Sequence, residues 1–430
     1  MESLEVEYRR RIAARTLENP MAFELMDLRF ALRNIFRQKG RTAMTLASIV
    51  FGVVGLILSG GFVEDVFVQL REATIHSRLG HLQIYKDGYL ANWTKEPTKY
   101  LIEDPVALQA AVRKTPGVTE TMQRINFFGL LNNSKTDFPI VGEGVEPDKE
   151  AAEFSHFFFI IDGRQLKKED QYKVLLGEGV AKSLNLPIGS SVTVLANTPE
   201  GGLNSLEFEV IGIFRTFSKD FDARAIRLPL PDAQELLAAK GAHAVVVALK
   251  DSLATDDTAT KLKDVLGRQG FEVKTWLELD DFYPKTVDLL KSELGVLRLI
   301  ILLVVLLSVA NSVNMTAYER VGEFGTLKAL GRKSSDIARM IILENCILGF
   351  LGATIGVGVG MLLAWGISAI GVPMPPPPGS SIGYTAYIRF VPTVILSAFL
   401  VGLIATVLAS LLAARGAASV PVVDALRQNI

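Results

Sequence analysis

The sequence predicts a membrane protein with four transmembrane α-helices, one followed by three, and a large α+β domain inserted between helices 1 and 2. Three observations predict this fold class. The mean hydropathy of the 430 residues is +0.31, which is high for a soluble chain of this length. Four long stretches carry few or no charges, whereas charged residues make up 21% of the whole chain. Strand-forming and helix-forming segments are mixed over residues 64–292, between the first and second stretches.

The composition excludes several classes of protein and site. The formal net charge of -1 and the lack of a strongly basic segment exclude a general binder of polyanions. The single cysteine, Cys346, excludes a disulfide framework and any zinc or iron–sulfur site held by several cysteines. Because its neighbours are apolar, Cys346 is predicted to be a small buried hydrophobic residue.

The four predicted spans follow from the length of the apolar stretches. A hydrocarbon core of roughly 30 Å requires about 20 apolar residues in a helix. Apolar helices of this length are rare in soluble cores, and four of them in one chain indicate membrane spanning. The predicted spans are residues 42–63, 293–317, 340–371 and 390–414.

Flanking positive charges predict the orientation of the spans. Arginine and lysine residues cluster before the first span, between the second and third, and after the fourth, whereas the loop between the third and fourth has only Arg389. Both termini and the connection 318–339 are therefore predicted to be cytoplasmic, with residues 64–292 on the opposite side. The first span is expected to act as an uncleaved signal anchor, because a charged arm precedes it.

The shorter segments outside the spans have their own predictions. The cytoplasmic arm 1–41 is amphipathic from Leu25 to Arg37, which predicts a helix in the membrane interface, with a solvated juxtamembrane helix as the alternative. The external loop 372–389 contains the run Pro373–Gly379, predicted to form polyproline II that either braces the domain or closes a short connection. Residues 415–430 are predicted to form a cytoplasmic tail.

The inserted domain is predicted to be α+β, because segments rich in β-branched and aromatic residues alternate with helical segments and turns. Strands are predicted at 127–131, 174–176, 191–195, 206–214 and 244–249, and helices at 105–114, 179–184, 232–240 and 257–269. The apolar periodicity of the first span continues outward through Leu70, and a similar pattern from Val287 leads into the second span. Both helices are expected to project as a stalk, which either transmits motion or only tethers the domain.

No catalytic, cofactor-binding or metal site is predicted in this chain. His76 and His81 are expected to flank a turn and to have ordinary imidazole roles rather than to bind a metal. Asp220 and Asp222 are predicted to lie in a solvated loop rather than to form an acid–base pair. A phosphate-binding P-loop requires a Gly-Lys dipeptide, which the sequence lacks.

The third span carries Gly352, Gly356 and Gly360, spaced four residues apart, so that bare backbone lines one face of the helix. Such a face lets another helix approach closely. It marks either a seam or sliding interface between subunits, or static packing within the four-helix unit.

The cytoplasmic connection carries the most specific motif in the chain. It reads YERVGEFGTLKALG from Tyr318 to Gly331, and four further segments accompany it: Ile341–Glu344, Pro421–Arg427, Val174–Ala181 and Phe208–Phe214. Together these segments resemble the MacB/FtsX-type (type VII) ABC transporter permeases over nearly the whole chain past residue 25. The span order, without a fused ATPase, is most similar to LolC/LolE-type subunits or to a split MacB.

The resemblance implies that the cytoplasmic connection is a coupling helix that contacts a separate ATPase subunit. Charged residues beside apolar residues suit docking in a groove of a partner, whereas a surface helix that only connects two spans is the alternative. The residues assigned to ATPase coupling are Glu319, Arg320, Glu323, Phe324, Gly325, Leu327, Lys328, Leu330 and Gly331.

The resemblance also implies function and partners. The chain is expected to be a non-catalytic permease subunit of an ABC transporter in the bacterial inner membrane, with a second identical or related permease and a P-loop ATPase as partners. ATP and Mg²⁺ are expected in the ATPase and no cofactor in this chain, and no nucleic acid is expected to bind. The implied activity is mechanotransmission that releases or exports lipoproteins or other amphiphiles, with a periplasmic carrier, lipoprotein or adaptor as a further partner.

Two alternatives from other classes stay open. One is an FtsX-like signalling subunit that activates a periplasmic cell-wall hydrolase, although the large external domain argues against it. The other is a membrane-anchored binding or sensor protein that works without an ATPase.

Overall fold

The computed structural model describes residues 39–93, 97–154, 156–198, 201–376, 379–380 and 382–418. The predicted interfacial helix at Leu25–Arg37 and the segment Pro421–Arg427 lie outside these residues. The chain has two compact units, a helical unit and an α/β unit. The helical unit contains Leu289–Val372 and the described residues up to Val66 and from Ala386, and the α/β unit contains Phe67–Asp288 and Pro373–Thr385.

The elements are numbered here in chain order. The α-helices are α1 (Lys39–Thr74), α2 (Tyr89–Asn92), α3 (Pro105–Val112), α4 (Pro147–Phe154), α5 (Glu178–Leu184), α6 (Lys219–Asp222), α7 (Leu230–Leu236), α8 (Thr255–Leu266), α9 (Trp276–Leu279), α10 (Phe282–Glu319), α11 (Val321–Ala329), α12 (Ser334–Ile370) and α13 (Pro392–Ala418). The strands are β1 (Leu82–Lys86), β2 (Val118–Asn132), β3 (Asp137–Val145), β4 (Phe159–Gly163), β5 (Lys173–Gly177), β6 (Ser191–Asn197), β7 (Leu203–Arg215), β8 (Ala225–Pro229), β9 (Ala244–Leu249), β10 (Phe271–Thr275), β11 (Val372–Met374) and β12 (Tyr384–Ala386).

The four long helices α1, α10, α12 and α13 are each long and apolar enough to cross a membrane. Their most apolar windows have mean hydropathies of 2.3, 2.5, 2.2 and 2.6. With the α/β unit inserted between α1 and α10, they confirm the predicted fold class. Helices α1 and α10 contain 36 and 38 residues, well beyond the roughly 20 that a bilayer requires, so each continues as one helix past its predicted span.

Helix α1 is central to the packing of the helical unit. Its buried residues Ile49, Val53 and Ile57, four apart, join one apolar core with α10, α12 and α13. Two pairs of hydroxyl side chains also form hydrogen bonds between α1 and α10. Ser308 Oγ donates to Ser48 Oγ at 2.8 Å, and the hydroxyls of Thr45 and Ser312 lie 2.6 Å apart. These pairs give each hydroxyl a hydrogen-bond partner, which lipid tails could not provide.

The α/β unit is built on one ten-stranded mixed sheet. Six of its strands form a closed ring in the order β2-β3-β8-β5-β7-β6, because β6 pairs with both β2 and β7. The long strand β2 also pairs with β9, and β9 continues to β1 and β10. Every strand predicted from the sequence lies within one of these strands, and each predicted helix overlaps α3, α5, α7 or α8. Alternate residues of the ring strands fill its interior, as in other closed sheets.

The structure corrects three sequence-based expectations. Pro373 and Met374 lie in the short strand β11, which pairs with β12, and not in polyproline II. Cys346 is only partly buried. Asp222 is not solvated, because the residue is 3% exposed and its carboxylate accepts hydrogen bonds from Thr216 N at 2.9 Å and Thr216 Oγ1 at 2.7 Å. Burial raises the pKa of Asp222 to about 6.

His76 and His81 come together in the fold, with ring centroids 5.2 Å apart, but protein groups satisfy His81. His81 Nδ1 accepts a hydrogen bond from Leu249 N, and its Nε2 lies 3.1 Å from Ser252 Oγ. Burial lowers the pKa of His81 to about 4, so the ring is neutral at physiological pH. Among the residues that the structure describes, no group of three or more His, Cys, Asp or Glu side chains could hold a metal.

Candidate coupling site

The motif at 318–331 forms a short helix between two long ones. Helix α10 ends at Glu319, where Arg320 leaves helical geometry with φ -99° and ψ 11°, and α11 then runs from Val321 to Ala329. Gly331 follows with φ +92°, a left-handed conformation that glycine adopts without steric cost. Helix α12 then begins with Lys333 N donating to Asp336 Oδ2 at 3.0 Å. The motif therefore breaks the helical geometry at each end of α11, which separates it from α10 and α12.

Arg320 joins α11 to α12. Its side chain is buried, and its Nε donates to Glu323 Oε2 on α11 at 3.0 Å. Its Nη1 donates to Glu344 Oε2 on α12 at 2.9 Å, and the guanidinium lies over the Phe324 ring, 5.3 Å from the centroid. Buried charges of this kind persist only when they are paired, so one guanidinium fixes the position of α11 against α12. We call these four side chains the Arg320 lock.

A second ion pair joins the ends of α1 and α10, where Arg41 donates to both carboxylate oxygens of Glu319. Arg41, Arg320 and Glu344 also line one cavity of about 30 Å³, and Thr45, Ser312 and Asn345 contribute polar groups to its wall. The volume suits about one water molecule. Charged groups thus link the start of α1, the end of α10 and the first turns of α12.

The structure divides the predicted coupling residues into two groups. Arg320, Phe324 and Gly325 are buried inside the helical unit and cannot form an outer docking surface, which corrects the expectation that the whole motif faces a partner. The remaining six are exposed or half-buried: Glu319, Glu323, Leu327, Lys328, Leu330 and Gly331. Among them Leu330 is 78% exposed and directly follows the last residue of α11. The motif therefore combines an internal lock with an external face.

Sequence reasoning did not assign Arg41 and Glu344 to the site. Glu344 had a usable signal, because a carboxylate within an apolar span is costly and marks a functional or structural partner. Arg41 had none, since it is one of several basic residues before the first span and only the fold brings it to Glu319.

The predicted glycine face packs against α1 of the same chain. A Cβ atom at Gly352 would lie 3.0 Å from Ile49, one at Gly356 2.8 Å from Val53, and one at Gly360 3.0 Å from Ile57. These distances leave no room for a side chain, so the three glycines set the spacing of α12 and α1. Of the two alternatives from the sequence, the structure supports packing within the four-helix unit.

Comparisons with known proteins match both parts of the chain. The model of a MacB-like periplasmic core domain matches residues 42–265, and that of the FtsX-like permease C-terminal region matches residues 295–422. The lipoprotein-releasing system transmembrane protein LolC of Neisseria meningitidis is 22% identical, over 76% of this chain and 78% of its own length.

Two longer relatives are export proteins that carry an ATP-binding part in the same polypeptide. The macrolide export ATP-binding/permease protein MacB of Rhodospirillum rubrum is 26% identical over 83% of this chain, and the pyoverdine export ATP-binding/permease protein PvdT of Pseudomonas aeruginosa is 26% identical over 79%. The chain covers 55% and 51% of their lengths, so it spans about half of each. The crystal structure of the periplasmic region of MacB from Actinobacillus actinomycetemcomitans aligns with a TM-score of 0.36 at 15% identity, over 50% of this chain and 95% of that one.

Proposed function

Because this chain belongs to the MacB/FtsX-type family of ABC transporter permeases, we propose that it couples ATP hydrolysis by a separate ATPase to work on the far side of the membrane. The observation that carries the proposal is the Arg320 lock. It ties a short helix with an exposed end to a membrane helix through one buried guanidinium. A displacement of α11 would therefore be passed to α12 rather than absorbed by a flexible loop.

In this proposal the ATPase binds the outer face of α11, where Leu330 is the apolar contact and Glu323 and Lys328 are the charged ones. An exposed leucine flanked by charges fits a groove with an apolar floor and a polar rim. The pair Arg41–Glu319 extends the response to α1, the helix that leads into the α/β unit. The chemistry of hydrolysis belongs to the ATPase, and the role of this chain is mechanical.

The proposed setting is the inner membrane, with both termini and residues 318–339 in the cytoplasm and residues 64–292 in the periplasm. The distribution of Lys and Arg around the spans supports this orientation. The proposed substrate class is lipoproteins or other amphiphiles. Its support is the relative LolC, which is named for lipoprotein release and is matched over most of its length.

Co-purification tests the coupling half of the proposal. The chain is extracted from its native membrane in a mild detergent, and bound proteins are identified by mass spectrometry. We expect a P-loop ATPase at close to one copy per permease. The variant Leu330→Asp should retain about tenfold less ATPase, because a central apolar contact is lost. The control Ser335→Asp adds the same charge at a nearby exposed position and should retain it.

Two results would overturn the coupling proposal. One is the absence of any ATPase in both the co-purified fraction and crosslinked membranes, which is the outcome for an anchored sensor. The other is equal ATPase recovery with Leu330→Asp and Ser335→Asp. Depletion of the protein tests the substrate class separately, and we expect lipoproteins to accumulate in the inner membrane. An unchanged lipoprotein distribution with an ATPase still bound would refute lipoprotein release and is the outcome for a signalling subunit.

A further inference from the structure

The α/β unit contains a cavity of about 130 Å³ next to the end of α1. After Thr74 the helix continues as one π-helical turn, Ile75–Leu79, and Gly80 N closes this turn by donating to Ile75 O at 2.9 Å. Residues of this turn line one side of the cavity, and residues from the segments 217–220 and 280–282 line the rest. Single π-helical turns of this kind are frequent at functional sites.

Arg78 lines this cavity with a guanidinium that no carboxylate pairs with. In the part of the chain that the structure describes, its side chain forms neither an ion pair nor a hydrogen bond, and its guanidinium lies 4.9 Å from the centroid of the Phe221 ring. The neighbouring Arg124, which donates to Arg78 O, is by contrast paired with Glu150 through both Nε and Nη2. Stacking on a ring leaves the in-plane N–H groups of Arg78 free to bind an oxyanion.

Three hydroxyl side chains line the same cavity. Ser77 is 4% exposed, and within the described ranges neither its Oγ nor Thr74 Oγ1 has a hydrogen-bond partner. Ser218 Oγ accepts from Phe221 N at 3.3 Å, which leaves its own hydrogen to donate. Buried polar groups are nearly always hydrogen-bonded, so Ser77 needs a partner inside the cavity. With the guanidinium, these groups supply enough donors for the three free oxygens of a phosphate ester.

Two carboxylates in the same wall argue against a simple anion as the ligand. Asp220 is exposed and has no ion-pair partner among the described residues. Asp280 Oδ2 accepts from Tyr283 N at 2.9 Å, which leaves further acceptor capacity on this carboxylate. One guanidinium and two carboxylates give the wall a net negative charge, so a ligand that fits it carries an ammonium group as well as a phosphate.

We propose that this cavity binds a phosphoethanolamine group, with the phosphate on Arg78 and the ammonium on Asp220. A planar guanidinium binds two phosphate oxygens at once, and a carboxylate forms a charge-assisted hydrogen bond with an ammonium. Phe217 and Phe282 also line the space and offer apolar surface to the carbons between the two charges. A cavity of about 150 Å³ accommodates benzene, so 130 Å³ is enough for a group of this size. The group occurs free in solution and as the head group of phosphatidylethanolamine.

This inference goes beyond the proposed coupling to an ATPase, because it rests on the α/β unit alone. Isothermal titration calorimetry tests it on the full-length protein in detergent, with O-phosphoethanolamine as the probe. Inorganic phosphate and ethanolamine are titrated separately as the two halves of the probe. The variants are Arg78→Gln, Ser77→Ala and Asp220→Asn, and the control is Arg224→Gln, an exposed arginine outside the cavity wall. Size-exclusion chromatography checks that each variant is folded.

We expect phosphoethanolamine to bind the unchanged protein and Arg224→Gln equally, and more tightly than either half binds. Arg78→Gln should weaken its binding about ten- to a hundredfold, because charge-assisted hydrogen bonds are lost. Ser77→Ala should weaken it about two- to tenfold and keeps the test decisive if Arg78→Gln does not fold. Asp220→Asn should weaken the binding of phosphoethanolamine but not that of phosphate, because only the ammonium contacts this carboxylate.

Competition by lipids identifies the source of the group. Suppression of the titration by micelles that contain phosphatidylethanolamine, but not by micelles that contain phosphatidylglycerol, would show that the site takes a lipid head group. Binding that neither lipid suppresses would show that the site takes the free molecule. Both outcomes support the site.

Three results would overturn the inference. The first is no binding of phosphoethanolamine to the unchanged protein, and the second is phosphate alone binding as tightly. The third is equal affinity of Arg78→Gln, Ser77→Ala and the control Arg224→Gln. Failure here with an ATPase still co-purified refutes only the cavity site, whereas phosphoethanolamine binding without a bound ATPase refutes only the coupling.

Discussion

The contact between the glycine face of α12 and helix α1 should make Gly356 intolerant of even one added carbon. In Gly356→Ala the new Cβ would lie 2.8 Å from Val53 Cβ, 3.0 Å from Val53 Cγ1 and 3.3 Å from Val50 Cα. Carbon atoms pack at about 3.5–4.0 Å, so the two helices must separate by about 1 Å at this point. Val53 has little room to move away, because its other methyl group packs closely against α13. A Cβ added at Gly402 of α13 would lie only 2.8 Å from Val53 Cγ2.

The separation also reaches the neighbouring glycines. Gly352 and Gly360 meet Ile49 and Ile57 at the same close spacing, and a gap of about 1 Å forfeits a quarter to a half of each contact energy. Overpacking of this kind costs about 1–3 kcal/mol. At about 2–4 °C for each kcal/mol, the temperature of half-loss should fall by roughly 2–12 °C.

The assay is the fraction of detergent-solubilised full-length protein that stays monodisperse after heating, measured by size-exclusion chromatography. The control is Gly358→Ala on the same helix, where no heavy atom lies within 4 Å of the added Cβ. Alanine is the better helix former by about 0.5–1 kcal/mol, so this control should be neutral or slightly stabilising. Val53→Ala removes the Cγ1 contact but leaves Cβ, so it should relieve Gly356→Ala only in part. Equal half-loss temperatures for Gly356→Ala and Gly358→Ala would refute the close packing.

Two further predictions concern buried carboxylates. Glu344→Gln should lower the free energy of unfolding by about 1–3 kcal/mol, because Arg320 loses a charged acceptor on α12 while keeping Glu323. The same heating assay should show no comparable loss for the exposed control Arg339→Gln. Equal shifts for the two variants would contradict the Arg320 lock. The pKa of Asp222 is about 6 in the fold against 3.8 when unperturbed, so the folded state binds the proton of this carboxyl more tightly than the unfolded state does. The free energy of unfolding should therefore fall by about 2–3 kcal/mol as pH rises from about 4 to about 6. Asp222→Asn should flatten that decrease when half-loss temperature is measured against pH, and parallel curves for the two proteins would contradict it.

The sequence predicted the fold class because its signals are local. Apolar runs of bilayer length define α1, α10, α12 and α13, and segments rich in β-branched and aromatic residues define strands such as β7 and β9. The coupling motif was equally visible, since its charges, Phe324 and the closing Gly331 lie within fourteen consecutive residues. What the pattern could not give was the direction in which each side chain points. Arg320 and Phe324 face inward because Arg320 pairs with Glu344 of α12 and Phe324 joins the apolar core of the helical unit, and both contacts depend on more than one helix at once.

Residues far apart in the chain were accessible only through the tertiary structure. Arg41 meets Glu319 across 278 positions, and no local pattern distinguishes it from the other basic residues before α1. The closure of the β2-β3-β8-β5-β7-β6 ring depends on β6 pairing with two strands, which alternation of residues does not encode. The sequence by itself determined which segments enter the membrane, because burial in lipid is a property of each segment's own composition. Which charges pair and which glycines touch was decided only by the tertiary structure, because those contacts exist only once separate helices are packed together.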